Sequence, residues 1–354
     1  MTTEILYNEA LDVLKGLIRI PSFSREENLT ADLIQQYLES KGQHCHRHLN
    51  NVWVVHPDYR PGRPTVLLNS HHDTVKPTTS WTVDPFTPLD KEGKLIGLGS
   101  NDAGAPLVSL MAAYLYFAQQ ASLKWNLIFA ATAEEEISGF HGVESLVNQL
   151  GPISLAIVGE PTKMELAVAE KGLLVIDCKA PGRPGHAARE EGENAIYNAM
   201  PDLEWIRTFK FPKVSEVLGP VKMSVTQIKA GYQHNLVPDV CDFVIDVRTN
   251  ELYSNAEALE IIRYNLKSEV KARSLRLNSS SIPADHPLVQ VAKDQKINCY
   301  GSPTSSDQAV MPWTSVKMGP GDSARSHTAD EFIYPGELKH GIELYITILE
   351  KLDF

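Results

Sequence analysis

Cysteine is scarce and scattered. The 354-residue chain has four, Cys45, Cys178, Cys241 and Cys299, and no Cys-x-x-Cys pair. That excludes a disulfide framework and a zinc knuckle, and it fits free thiols in a reducing cytoplasm. No apolar run is long enough to span a bilayer, and Met1-Thr2-Thr3-Glu4 does not begin a secretory signal. Positive charge is in deficit: 33 Lys and Arg against 44 Asp and Glu give a net charge of −11. With no basic stripe, neither nucleic acid nor an anionic membrane is an expected partner. What is present is an ordinary globular composition, 43% hydrophobic and 22% charged, in a chain long for a single core. Two domains and a cytoplasmic location are expected.

The chemistry concentrates where apolar strands end. Val66-Leu67-Leu68 reads as a buried strand that runs into Asn69-Ser70-His71-His72-Asp73. In extended chain, residues two apart face the same way, so His71 and Asp73 share a side with His72 opposite. That spacing suits a histidine that ligates a metal while a carboxylate orients its ring. Leu95–Leu98 leads into Gly99-Ser100-Asn101-Asp102-Ala103-Gly104, placing Asp102 at a helix start, where an N-cap is the ordinary role of aspartate. Leu127–Ala131 ends in Thr132-Ala133-Glu134-Glu135-Glu136, and Leu155–Val158 ends in Gly159-Glu160-Pro161-Thr162. Adjacent carboxylates at buried strand ends are costly unless a cation neutralises them. Trp313–Met318 is a further strand, followed by Gly319–Asp322 and then Ser326-His327-Thr328-Ala329-Asp330-Glu331.

Helical stripes flank these strands, at Leu6–Ile18, Leu33–Leu38 and Leu338–Leu349. From Leu173 the pattern changes. Val221, Met223 and Val225, then Phe243, Ile245 and Val247, alternate with polar residues, as in antiparallel sheets with one solvated face. Ser254-Asn255-Ala256-Glu257 is a capping box opening a helix. Another helix is predicted over Asn194–Phe209, kinked or divided at Pro201. The reading is an α/β chain: a mixed-sheet catalytic domain over residues 1–172 and 282–354, with an inserted α+β domain at 173–281.

Taken together, the motifs from His71 to Glu331 resemble those of the zinc aminoacylase and metallopeptidase family, of the acetylornithine deacetylase, succinyl-diaminopimelate desuccinylase and glutamate carboxypeptidase type. Motif wording and compact length place the acetylornithine deacetylase type nearest. The resemblance implies a zinc-hydrolase domain with an inserted dimerisation or lid domain, and a homodimer. It implies two Zn²⁺ per chain, with Co²⁺ or Mn²⁺ able to substitute. His71, Asp102 and Glu160 would hold one metal; Asp102, Glu136 and His327 the other, with Asp102 bridging. Asp73 would stand behind His71, and Glu135 would be the general base. In the inserted domain, Gly185-His186-Ala187 matches a histidine motif that reaches the partner's active site. Asn235 matches an Asn-x-x-Pro motif near the substrate, and Arg248 an arginine that holds the substrate carboxylate. The chain departs from the family at Lys76, at Ala103-Gly104-Ala105 where a lysine is usual, and at Glu134 where aspartate is usual.

The implied activity is amide hydrolysis of an N-acyl amino acid, with acetyl or succinyl as the acyl group and N-acetylornithine or a close relative in arginine biosynthesis as substrate. The alternatives are a dipeptidase or carboxypeptidase on the same scaffold, and a catalytically dead metal-binding protein. An intact Glu135 beside a full ligand set weighs against the last.

Overall fold

The computed structural model describes residues 2–354. Two compact units divide the chain. One comprises Met1–Val168, Ser281–Tyr300 and Ser306–Phe354, the other Ala169–Ser280 with Gly301–Ser305. The short return at Gly301–Ser305 lies outside the inserted segment read from the sequence.

The first unit is built on a mixed sheet. Its strands lie in the spatial order Cys45–His48, Asn51–Val55, Asn126–Thr132, Thr65–His71, Leu155–Val158, Ser315–Lys317 and Leu166–Glu170. Thr65–His71 runs parallel to both of its neighbours, and every residue in it is buried. Its alternation explains the layers. Val66 and Leu68 enter the larger core, with Leu127, Phe129 and Ala131 of the adjacent strand. Leu67, Ile128 and Ala130 point the other way, onto Trp53, Leu146 and Ile153. The larger core is closed by the helices Thr3–Ile18, Asn28–Ser40, Ala105–Phe117 and Pro335–Lys351, through Leu14, Ile34, Leu107, Tyr114 and Tyr345. Each large aliphatic side chain buried there contributes about 1.5–3 kcal/mol. Ala105–Phe117 is buried nearly all round, as a central helix must be. The parallel strands therefore end together, and in open α/β sheets that edge is where ligands bind.

The second unit carries a four-stranded antiparallel sheet in the order Lys222–Ala230, Val240–Arg248, Leu174–Pro181 and Glu269–Ala272. Leu174, Ile176, Phe243, Ile245 and Val247 form its core with Ala199 and Ile206 of the helix Ala195–Thr208 and Leu259 and Ile262 of the helix Asn255–Asn265. The capping box is formed: the Glu257 carboxylate accepts from the Ser254 N–H at 2.8 Å, and Ser254 Oγ accepts from the Glu257 N–H at 3.2 Å.

Three local expectations are corrected. Pro201 does not divide its helix, which runs unbroken from Ala195 to Thr208. Only the Tyr197 carbonyl loses its helical donor there, and Tyr197 is exposed, so water can serve it. Asp102 does not cap a helix. It lies in the tight turn Ser100–Gly104 with φ −117° and ψ 100°, behind a cis Asp102–Ala103 peptide, and the helix starts at Ala105. The strand expected over Trp313–Met318 is confined to Ser315–Lys317.

Candidate metal centre

Thr65–His71 delivers His71 to the carboxyl edge of the sheet with its ring 1% exposed. His71 Nδ1 lies 3.0 Å from the Asp73 carbonyl oxygen and 3.4 Å from Asp73 Oδ1. Donation from Nδ1 leaves Nε2 as a lone-pair donor. That Nε2 faces carboxylates alone: Asp102 Oδ1 at 3.4 Å, Glu160 Oε1 at 3.7 Å and Glu135 Oε2 at 3.8 Å. Neither His71 Nε2 nor Glu160 Oε1 has a hydrogen-bond partner, although both are buried. Buried polar atoms are almost always satisfied. Two orphans 3.7 Å apart in a ring of carboxylates fit a cation between them.

The remaining predicted ligands chain on from there. His327 Nε2 is 2.9 Å from Glu136 Oε2 and 3.6 Å from Asp102 Oδ2. His71, Asp102, Glu136, Glu160 and His327 thus form one continuous set. The tightest groupings partition it differently from the expected triads: one is His71, Asp102 and Glu136, the other His71, Glu135 and Glu160. Glu135 falls inside one of them and the half-exposed His327 outside both.

The electrostatics follow from this crowding. Burial, with Asp102 adding to it, pushes the Glu160 carboxyl up to about 8. Burial also raises Glu135 well above the usual carboxylate range, helped by Glu160, Asp307 and Glu136. Burial alone would lower the His71 imidazole, but Asp102, Asp73, Glu135 and Glu160 outweigh it and hold it well above its ordinary value. The hydrogen bond to Glu136 lifts His327 to about 9. A divalent ion would reverse these directions, because it favours carboxylate anions and neutral imidazole.

The backbone around Glu135 is held by two buried acids. Asp73 Oδ1 accepts from the Glu135 N–H and Oδ2 from the Glu136 N–H, both at 3.1 Å, with the Ser24 hydroxyl donating to Oδ2 at 2.7 Å. Glu27 Oε1 accepts from the Glu134 N–H at 3.2 Å and the Arg25 N–H at 2.6 Å. Three successive N–H groups are thereby fixed as Glu134 turns through φ +56°. His72 points away from the centre, its ring nitrogens 2.9 Å from Thr30 Oγ1 and from the Asn50 carbonyl oxygen.

Two further acids escaped sequence reasoning. Glu331 is 2% exposed and accepts from the N–H groups of Asn101 and Asp102, both at 2.8 Å, and of Gly99 at 3.2 Å, so it fixes the turn that presents Asp102. Gly104 closes that turn: a side chain there would meet the Gly99 carbonyl oxygen at 2.4 Å. Asp307 accepts from Asn69 Nδ2 at 2.8 Å and Thr132 Oγ1 at 2.9 Å, and burial lifts it to about 6. The only sequence signal was an acid beside a buried strand or in a serine-rich turn, which a solvated loop shares. At the family departures, Lys76 Nζ sits 5.8 Å from the Phe23 ring and Ala103 is buried.

His186, Asn235 and Arg248 belong to the second unit. Gly185–His186 pairs with Leu236–Val237, and the Asn235 carbonyl oxygen accepts from the Ala187 N–H at 3.0 Å, so His186 and Asn235 are neighbours. His186 is exposed, and its Nδ1 accepts from the Ala188 N–H at 3.1 Å. The Arg248 guanidinium is already engaged by Asp246, with Nε–Oδ1 at 2.8 Å and Nη2–Oδ2 at 3.1 Å.

A sheet whose parallel strands end on a carboxylate–imidazole cluster is arranged to hold metal, as in a metal-dependent hydrolase. The chain belongs to Peptidase family M20/M25/M40, whose model matches residues 67–351. It is 27% identical to a succinyl-diaminopimelate desuccinylase of Xylella fastidiosa, over 98% of this chain and 99% of that one. It is 26% identical to another from Stenotrophomonas maltophilia, over 97% and 98%. Among solved structures, the aminopeptidase PepT of Bacillus cereus superposes with a TM-score of 0.79 at 18% identity, covering 99% of both chains. A dinuclear metal-binding M20 peptidase of Bacillus subtilis gives 0.74 at 16%, also over 99% of both. Among the described residues, no helix is long and apolar enough to cross a membrane.

Proposed function

We propose that the protein removes an acetyl or succinyl group from an N-acyl amino acid, N-acetylornithine or a close relative in arginine biosynthesis, using two zinc ions. The observation that carries the metal reading is the facing pair of orphaned atoms, His71 Nε2 and Glu160 Oε1. Mixed imidazole and carboxylate donors suit catalytic zinc, and cobalt or manganese could take its place. His71, Asp102 and Glu160 would hold one ion; Asp102, Glu136 and His327 the other. When bound, the ions supply Lewis acidity and ease the deprotonation of water.

The chain's own residues do the rest. Glu135 accepts a proton at its carboxylate as water attacks the acyl carbonyl, then returns it to the leaving amine. Its Oε2 stands 3.8 Å from His71 Nε2, beside the residues that would hold the ions. Asp73 orients the His71 ring and holds the backbone of Glu135. His186, from the partner subunit of a homodimer, donates to the oxyanion as it forms. Asn235 lies near the substrate, and Arg248 clamps its carboxylate after exchanging Asp246 for it. Four free cysteines agree with a cytoplasmic setting.

The names of the curated relatives weigh towards the succinyl group, and the motif wording towards acetyl. A panel of N-acetyl and N-succinyl derivatives of ornithine, citrulline, lysine and diaminopimelate, assayed with zinc beside dipeptides, decides. Turnover of dipeptides alone would overturn the deacylase reading.

A further inference from the structure

The hairpin Cys45–Val55 carries a second cluster of imidazoles. His44, His46 and His48 alternate with Cys45 and Arg47. Pairing with Asn51–Val55 fixes the alternation, since His46 lies opposite Trp53 and His48 opposite Asn51. Cys45 and Arg47 turn towards the helix Asn28–Ser40: Cys45 Sγ reaches the Gln35 carbonyl oxygen at 3.7 Å, and Arg47 pairs with Asp32 at 2.7 Å. The histidines therefore share the opposite face.

Two of them are already paired. The His44 and His46 rings lie 5.1 Å apart at 79°, and His46 stacks on Trp53 at 5.2 Å and 17°. The stack sets the plane of His46, while His44 is exposed. With metal–nitrogen bonds of about 2.0–2.1 Å, two imidazoles on one tetrahedral ion have centroids about 5 Å apart. The observed centroid separation of 5.1 Å matches that value. Burial and the proximity of His44 both lower the basicity of His46, which keeps its lone pair available at neutral pH. Stacking on Trp53 alone would explain His46, but not a second, exposed imidazole beside it at the edge of the sheet.

We propose that His44 and His46 form a surface site for a borderline transition-metal ion such as Zn²⁺, Ni²⁺ or Cu²⁺, separate from the hydrolytic centre. Imidazole donors suit these ions, whereas Mg²⁺ prefers oxygen ligands.

The test uses whole protein without an affinity tag, its hydrolytic centre first saturated with zinc. Calorimetric titration with further Zn²⁺ is compared between wild type and a His44→Asn, His46→Phe double variant. The phenylalanine keeps the stack on Trp53 and removes the nitrogen donors. Amide hydrolysis at the wild-type rate confirms that the variant is folded, since neither residue belongs to the hydrolytic centre. The expected result is one zinc ion fewer per chain in the double variant, with no heat from Mg²⁺ in either protein. Equal zinc stoichiometry in the two proteins would overturn the proposal.

Discussion

The Asp73 carboxylate spans the two glutamates: Oδ1 accepts from the backbone N–H of Glu135 and Oδ2 from that of Glu136. The same carboxylate faces His71 Nδ1 at 3.4 Å. One buried acid therefore sets both a candidate metal histidine and the turn that carries the base. Asparagine in its place would aim an amide N–H₂ at one of these donors. Asp73→Asn should lower metal affinity or activity about 10- to 100-fold, the usual cost of losing such a supporting group. Metal content after dialysis and kcat/KM check this, and unchanged values for both would reject it.

Glu135 and Glu136 are adjacent, yet their roles should separate. Glu135→Ala should leave most of the metal bound and slow turnover about 100- to 10,000-fold, the span of a general base. Glu136→Ala should deplete one metal, because it removes the partner of His327 at 2.9 Å. Elemental analysis beside single-turnover rates distinguishes them. Reversed phenotypes would exchange the two assignments.

Stripping with a chelator should abolish activity and lower the melting temperature. An ion that binds only the folded protein at a hundred times its Kd adds about 2.7 kcal/mol of stability. Readdition of zinc, cobalt or manganese should restore both. Full activity in protein shown to be metal-free would end the two-metal reading.

The sequence made the strand ends legible because they are local: an apolar run, then an acid or a histidine. The His71–Asp73 spacing likewise implied a shared side. It could not show that Asp73 also holds Glu135 and Glu136, because those hydrogen bonds join residues about sixty positions apart. Glu331 is the same case at greater range, since its donors are the N–H groups of Gly99, Asn101 and Asp102. The environment that makes a buried acid tolerable is tertiary, so its sequence looks like a solvated loop. Pro201 failed the other way: a local rule predicted a kink or a break, and the helix is not broken, because water can reach the carbonyl that it strips of a donor.

His72 supplies a pH test for protein stripped of metal. Burial pushes its imidazole down to about 4, from about 6.5 in unfolded chain. Between those values the unfolded chain holds more protons, so stability rises with pH. The contribution is present in full above pH 6.5 and is lost as the pH falls to about 4. In chelator-stripped protein, His72→Gln should be less stable at pH 7. The gap from wild type should close by up to about 3 kcal/mol on acidification through that window. Denaturant midpoints measured at several pH values check it, and a constant gap would show that His72 is not buried neutral.

The remaining prediction concerns His186, which the proposal places in the active site of the partner subunit. A chain with Glu135→Ala and a chain with His186→Ala should each give a nearly inactive homodimer. Unfolded together and reassembled, half the dimers should be mixed. In a mixed dimer, one site combines the altered Glu135 with the altered His186 and is doubly defective. The other combines a native Glu135 with a native His186. Random pairing in a two-fold dimer should therefore restore about a quarter of the wild-type sites. If His186 acts within its own chain, every site keeps one defect and nothing returns. Subunit exchange confirmed by mass spectrometry, with activity still absent, would rule out the arrangement in trans.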